Sequence, residues 1–169
     1  MKRSLIFFCL LISIFLISCS TNREPAPTVG KAAPLFEVRT LEGNSLSLSD
    51  FRGKVVLIEF WATWCPPCKA SIPEIEALKK KFNNNDLVVL GINLDEGSDI
   101  KERVAAFKEA YRITYPIGLD SEGKVSSKYR VSSIPMIYLL DRDLKVARIY
   151  TGYTPGMGEK IAKEIEALL

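Results

Sequence analysis

The chain has 169 residues, 47% of them hydrophobic and 25% charged, which suits one domain with a buried core. It holds no histidine, so histidine catalysis, histidine metal sites and haem attachment through Cys-x-x-Cys-His are excluded. Lys2 and Arg3 supply two of the three net positive charges and the first 18 residues hold no acid, so the rest carries +1, which makes no electrostatic case for nucleic acid.

Met1-Lys2-Arg3 is a short basic start, followed by an apolar run from Leu5 to Ile17 that only Ser13 and the sulfur of Cys9 interrupt. Thirteen residues fall short of the roughly 20 needed to span a bilayer and match the apolar region of an export signal. The run ends in Leu16-Ile17-Ser18-Cys19, which resembles the bacterial lipobox: the cut falls before the cysteine, and the new terminal cysteine carries lipid. A plain signal peptide and an uncleaved anchor are the other readings, and all three export the domain. Several acyl chains on Cys19 hold a protein at a membrane where one chain does not. The same resemblance reads Ser20 as an outer-membrane signal where such a membrane exists. Ser20 to Thr28 is polar and contains Pro25 and Pro27, as a tether does. The expected division is a signal over 1–18, a lipidated cysteine and tether over 19–28, and a folded domain over 29–169.

In the body, Leu35–Arg39 and Ser45–Leu48 read as short strands around the turn Glu42-Gly43-Asn44. Val55 to Phe60 is a continuous apolar run broken only by Glu59, and reads as a buried strand. Ile72, Ile75, Leu78 and Phe82 then recur at helical spacing. Cys65 and Cys68 therefore fall where a strand ends and a helix begins, with Pro66 and Pro67 suited to the first helical turn. After the break Asn83-Asn84-Asn85-Asp86, Leu87–Asn93 is a strand, expected to run parallel to the first through a right-handed crossover. Ser98 is the expected cap of a helix carrying Ile100, Val104, Phe107 and Tyr111. Val125–Arg130 reads as a short helix and Met136–Leu140 as a strand. Asp141-Arg142-Asp143 turns into a last strand from Leu144 to Thr151. Thr154-Pro155 is the expected cap of a final helix with Ile161, Ile165 and Leu168 inward.

Cys9 leaves with the signal and Cys19 is taken by lipid, so Cys65 and Cys68 remain as thiols. A lone Cys-x-x-Cys also suits a structural disulfide or half a zinc site; a zinc site needs about four ligands, and a loop this short makes a poor staple. A thiol at a helix N-terminus meets free N–H groups and the positive end of the dipole, which stabilise the thiolate. Cys65, nearest that end, is the expected nucleophile and Cys68 the resolving thiol. Glu59, an acid inside an apolar strand, is expected to have its pKa raised by burial.

Glu59 through Lys69 resembles the thioredoxin superfamily pattern of an acid, Phe, Trp, Ala, any residue, Trp, Cys, two residues, Cys, Lys. The opening hairpin and the segment from about Glu96 to Asp120 resemble the TlpA/ResA-like, redoxin-related (AhpC/TSA-related) branch. The resemblance covers about residues 29 to 169. It implies an α/β thioredoxin fold: a mixed sheet flanked by helices, with an N-terminal hairpin and an inserted helix–strand element, itself expected only to pack the core. It implies that Glu59 takes a proton from Cys68 through water. It implies that Ile134-Pro135 is cis beside the redox pair, leaving the Ile134 backbone to pair with an extended substrate. Trp61 and Trp64 are expected to shield the disulfide and form an apolar docking rim, with core packing as the alternative for Trp61. The chemistry needs no cofactor beyond the redox-active disulfide of Cys65 and Cys68, and no metal.

The implied activity is thiol–disulfide exchange with cysteines of exported proteins, mostly as a reductant, as in cytochrome c maturation. The implied partners are a membrane thiol donor and the membrane itself, and the expected state is a monomer. Ser133 and Met136 stand where the family often has glycine and threonine, and Ser71 stands where some cytochrome-maturing relatives have glutamate. A thiol peroxidase is the second reading, although Ala62 occupies the place of its threonine. A copper carrier is the third; it uses Cys-x-x-x-Cys plus histidine, and both are missing.

Overall fold

The computed structural model describes residues 26–82 and 86–169. The export signal, Cys19, most of the tether and Asn83 to Asn85 lie outside the described residues. Two strands, β1 (Glu37–Arg39) and β2 (Ser45–Ser47), form an antiparallel hairpin. Then follow β3 (Val55–Trp61), α1 (Pro66–Lys81), β4 (Leu87–Asn93), α2 (Ile100–Ala110), β5 (Ile117–Leu119), α3 (Lys124–Lys128), β6 (Met136–Leu140), β7 (Val146–Thr151) and α4 (Met157–Leu168). The main sheet has the order β5-β4-β3-β6-β7. β3 runs parallel to β4 and antiparallel to β6, so the sheet is mixed, as expected. Among the described residues no helix is long and apolar enough to cross a membrane.

All seven residues of β3 are buried, which is why that strand, Glu59 apart, reads as a continuous apolar run rather than an alternating one. Alternation instead sorts it between two cores. Leu57 and Trp61 join Ile72 and Ile75 of α1, Phe107 of α2 and Ile161 of α4. Val56, Ile58 and Phe60 join Val38 and Leu46 of the hairpin and Val125 of α3. Glu59 shares the parity of Leu57 and Trp61, so it faces α1. The N-terminal segment touches both ends of the sheet, through bridges of Thr40 to Gly118 and Ala32 to Lys145. A Cβ at Gly118 would lie 2.6 Å from Val38 Cγ1, so the hairpin's close approach requires glycine there.

The inserted segment supplies α2 and the edge strand β5, as expected. Several boundaries differ from the sequence expectation, and at three of them the side chains or backbone show why. Asp99, not Ser98, precedes α2, and its carboxylate accepts from Arg103 one turn on at 2.7 and 2.8 Å. β7 begins at Val146, because Leu144 takes φ 61° to close the turn. α4 starts after Gly156, at φ 82°, rather than at a Thr154-Pro155 cap. Its first N–H groups, of Gly156 and Gly158, donate to Glu74 of α1 at 3.0 and 2.5 Å. A side chain 82 residues away does the capping that local sequence was expected to do.

Candidate active site

The site forms where β3 hands over to α1. Cys65 has extended backbone and precedes the helix; Pro66 and Pro67 fill the first two helical positions. Neither proline has an N–H to leave unsatisfied. The first free N–H is that of Cys68, and it donates to Cys65 Sγ at 3.2 Å. Cys65 thus caps its own helix with sulfur, where a thiolate gains from both the hydrogen bond and the dipole. Lys79, Lys80 and Lys81 occupy the last turn, at the negative end. Cys65 and Cys68 are joined as a disulfide. Cys65 keeps 3% exposure and Cys68 none, so any approach from solvent meets Cys65.

Ile134-Pro135 is cis, and the Ile134 carbonyl oxygen lies 3.7 Å from Cys65 Sγ. A disulfide sulfur has no proton to donate, so this is contact rather than a hydrogen bond. Ile134 is half-buried and Pro135 buried. Trp64 is 65% exposed, and Pro66 and Pro67 are exposed beside it. These three give the apolar rim. Trp61 does not join it. Its indole is fully buried against Phe107 of the inserted helix, with ring centroids 5.1 Å apart. Trp61 stands four residues along from Leu57 on the same face of β3, so its ring enters the same core and the packing alternative holds for it.

The loop carrying Trp64 and Cys65 is held by a carboxylate that no motif in the sequence marks. Asp95, just beyond β4, accepts from the Thr63 N–H at 3.0 Å, the Thr63 hydroxyl at 2.8 Å and Asn93 Nδ2 at 2.7 Å. Its side chain is fully buried, and Arg103 Nε stands 3.7 Å away. The hydroxyl of Thr63 is therefore committed to Asp95. Ala62, three residues before Cys65, is buried and apolar.

Glu59 is fully buried. Ser71 Oγ lies 2.5 Å from its Oε1 and the Tyr115 hydroxyl 3.2 Å from its Oε2. Ser71 Oγ also lies 2.9 Å from the Cys68 carbonyl oxygen. Burial pushes the Glu59 pKa up to about 7, against the pull of the two hydroxyls towards the ionised form. Tyr115 is held well above its ordinary pKa of 10 by burial and by the carboxylate beside it. The expected acid is thus beside the redox helix. Ser71 and Tyr115 were not expected to take part: Ser71 read as a departure from a pattern, and Tyr115 fell in a segment read as packing. The one available signal was that each is a hydroxyl within an apolar spacing.

Residues 29–149 match the AhpC/TSA family. The chain is 38% identical over 132 residues to a thioredoxin-like protein YneN of Bacillus subtilis (strain 168), across 78% of this chain and 76% of that one. It is 32% identical over 148 residues to a thiol-disulfide oxidoreductase ResA of Bacillus thuringiensis subsp. konkukian (strain 97-27), across 88% of this chain and 84% of that one. Among solved structures it resembles a putative thiol:disulfide interchange protein DsbE from Chlorobium tepidum. There the TM-score is 0.78 and the identity 29%, with 85% of this chain and 99% of that one covered.

Proposed function

We propose, for a chain that belongs to the AhpC/TSA family and is a thiol–disulfide oxidoreductase of the ResA/DsbE type, that it works outside the cytoplasm, tethered by lipid on Cys19, and reduces cysteines of exported proteins. The observation that carries the chemistry is the self-capped disulfide at the start of α1. Reduced Cys65, as thiolate, attacks a client disulfide; one client thiolate leaves and a mixed disulfide forms. Cys68 then gives its proton to Glu59 and attacks Cys65 Sγ. The Cys65–Cys68 bond forms, the mixed disulfide breaks, and the second client thiolate departs to take up a proton. The client gains two electrons, and a membrane thiol donor resets the pair. Trp64, Pro66 and Pro67 offer the client an apolar seat, and Ile134 lies beside the attacked sulfur. The lipobox-like Leu16-Ile17-Ser18-Cys19 supports the tether, and a domain held outside the cytoplasm meets exported thiol clients, with apocytochrome c among those that the family resemblance implies.

The test uses the full chain. Reduced Cys68→Ala accumulates mixed disulfides with oxidised clients in the membrane fraction, and Cys19→Ala moves them to the soluble one. Trapping by Cys65→Ala instead would reverse the two cysteine roles. Peroxide consumption at the rate of client reduction would replace the reading with a peroxidase.

A further inference from the structure

Each oxygen of Glu59 meets one hydroxyl, and each hydroxyl has one proton. Ser71 stands between two acceptors, Glu59 Oε1 at 2.5 Å and the Cys68 carbonyl at 2.9 Å. It donates to only one at a time. When Glu59 is ionised, the Ser71 proton serves Oε1. When Glu59 is protonated at Oε1, the carboxyl donates to Ser71 Oγ, and the Ser71 proton is freed for the Cys68 carbonyl. Tyr115 donates to Oε2 in both states, because that oxygen accepts whether or not Oε1 holds a proton. Each oxygen of the acid then keeps a hydrogen-bonding partner in both forms when the proton moves.

Tyr115 reaches this place from the segment between α2 and β5. Gly91 of β4 stands opposite Glu59 in the ladder. A Cβ there would lie 2.8 Å from Trp61 Nε1 and 2.9 Å from Tyr115 Cε2. The missing side chain is what admits the tyrosine. The inserted element therefore does more than fill a core.

We propose that Ser71 and Tyr115 are positioning residues for Glu59, and that the Ser71 hydroxyl reverses its hydrogen bond between Glu59 and the Cys68 carbonyl as the acid changes state. This rests on the reading of Glu59 as the proton acceptor of Cys68. Around Glu59, α1 presents Ser71 and Cys68, the inserted segment presents Tyr115, and β3 itself presents Trp61. Gly91 of β4 and Ile137 of β6, its ladder partners, carry no charge. Glu76 is the further charge acting on Tyr115.

Infrared difference spectra across pH follow the protonated carboxyl of Glu59, assigned by its loss in Glu59→Gln. Ser71→Ala and Tyr115→Phe each remove one oxygen and leave the surrounding shape intact. Each is expected to raise the Glu59 midpoint by about one pH unit, tenfold in proton affinity, because a donor to the ionised form is lost. A midpoint unmoved in either variant overturns that residue's role. In Ser71→Ala the protonated carboxyl also loses the acceptor of its own proton, and its band moves to higher frequency. A band at the parent frequency overturns the reversal. The pH profile of client reduction is read on the same variants. If it shifts with the infrared midpoint, Glu59 serves Cys68. If the midpoint shifts and the profile stays, the positioning stands and the reading of Glu59 as proton acceptor falls.

Discussion

Glu59 and Asp95 are both buried carboxylates on the β3–β4 side of the sheet, and they are held by different kinds of donor. Asp95 takes a backbone N–H, a side-chain amide and a hydroxyl, with Arg103 close by. Glu59 takes two hydroxyls and lies in otherwise apolar surroundings. Amide N–H groups only donate, so they hold an anion in place; hydroxyls both donate and accept, so they tolerate a carboxyl that gains and loses a proton. The chemistry of the partners, rather than the depth of burial, separates a carboxylate that fastens a loop from one whose surroundings accommodate both a charged and a protonated form.

The largest expected effect falls on the fastening site. Asp95→Ala leaves the Thr63 N–H, the Thr63 hydroxyl and the Asn93 amide buried without their acceptor. It is expected to cost about 4 kcal/mol of unfolding free energy by urea denaturation. A cost below about 1 kcal/mol would mean that water replaces the carboxylate and that the loop does not depend on it.

Glu59→Gln is expected to act in the opposite direction. The acid titrates at about 7 in the folded chain against an ordinary value of 4.5. Between those values the folded state holds a proton that the unfolded state has released, so stability falls as pH rises through that window. The loss is complete above pH 7 and amounts to about 3 kcal/mol. Glutamine carries no charge and escapes it. The variant should therefore match the parent near pH 4 and exceed it by about 3 kcal/mol near pH 8. A difference between the two proteins that stays constant across that range would remove charge burial as its origin.

These two acids were unequally legible from sequence. Glu59 breaks an apolar strand, so its burial and raised pKa follow from neighbours in the chain. Cys65, Cys68, the two prolines and the strand–helix handover are likewise local. Asp95 stands in Asp95-Glu96-Gly97-Ser98, which reads as a loop, and its partner Thr63 lies 32 residues away. Tyr115 lies 56 residues from Glu59, and only the register that places Gly91 beside Glu59 brings them together. The cap of α4 by Glu74 was hidden for the same reason. Periodicity reports which residues turn inward; it does not report which inward polar groups meet. Trp61 shows the other limit, since motif position suggested a rim and strand parity sent the ring into the core.

The smallest predicted effect tests whether the two acids act independently. Thr63→Val keeps the side-chain shape and removes one hydroxyl from Asp95, while the Thr63 N–H bond to Oδ2 remains. The expected loss is about 1 kcal/mol, the ordinary worth of one buried hydrogen bond. The pH profile of exchange should stay where it is in the parent, because Thr63 touches Asp95 and not Glu59. In the ladder, Glu59 pairs with Gly91, while Trp61 pairs with Asn93 one level higher, next to Asp95. Combined with Ser71→Ala, Thr63→Val should therefore add its cost to within about 0.5 kcal/mol. A larger coupling, or a shifted profile in Thr63→Val alone, would mean that the loop clamp and the proton site move as one unit, and that Asp95 tunes the chemistry as well as fastening it.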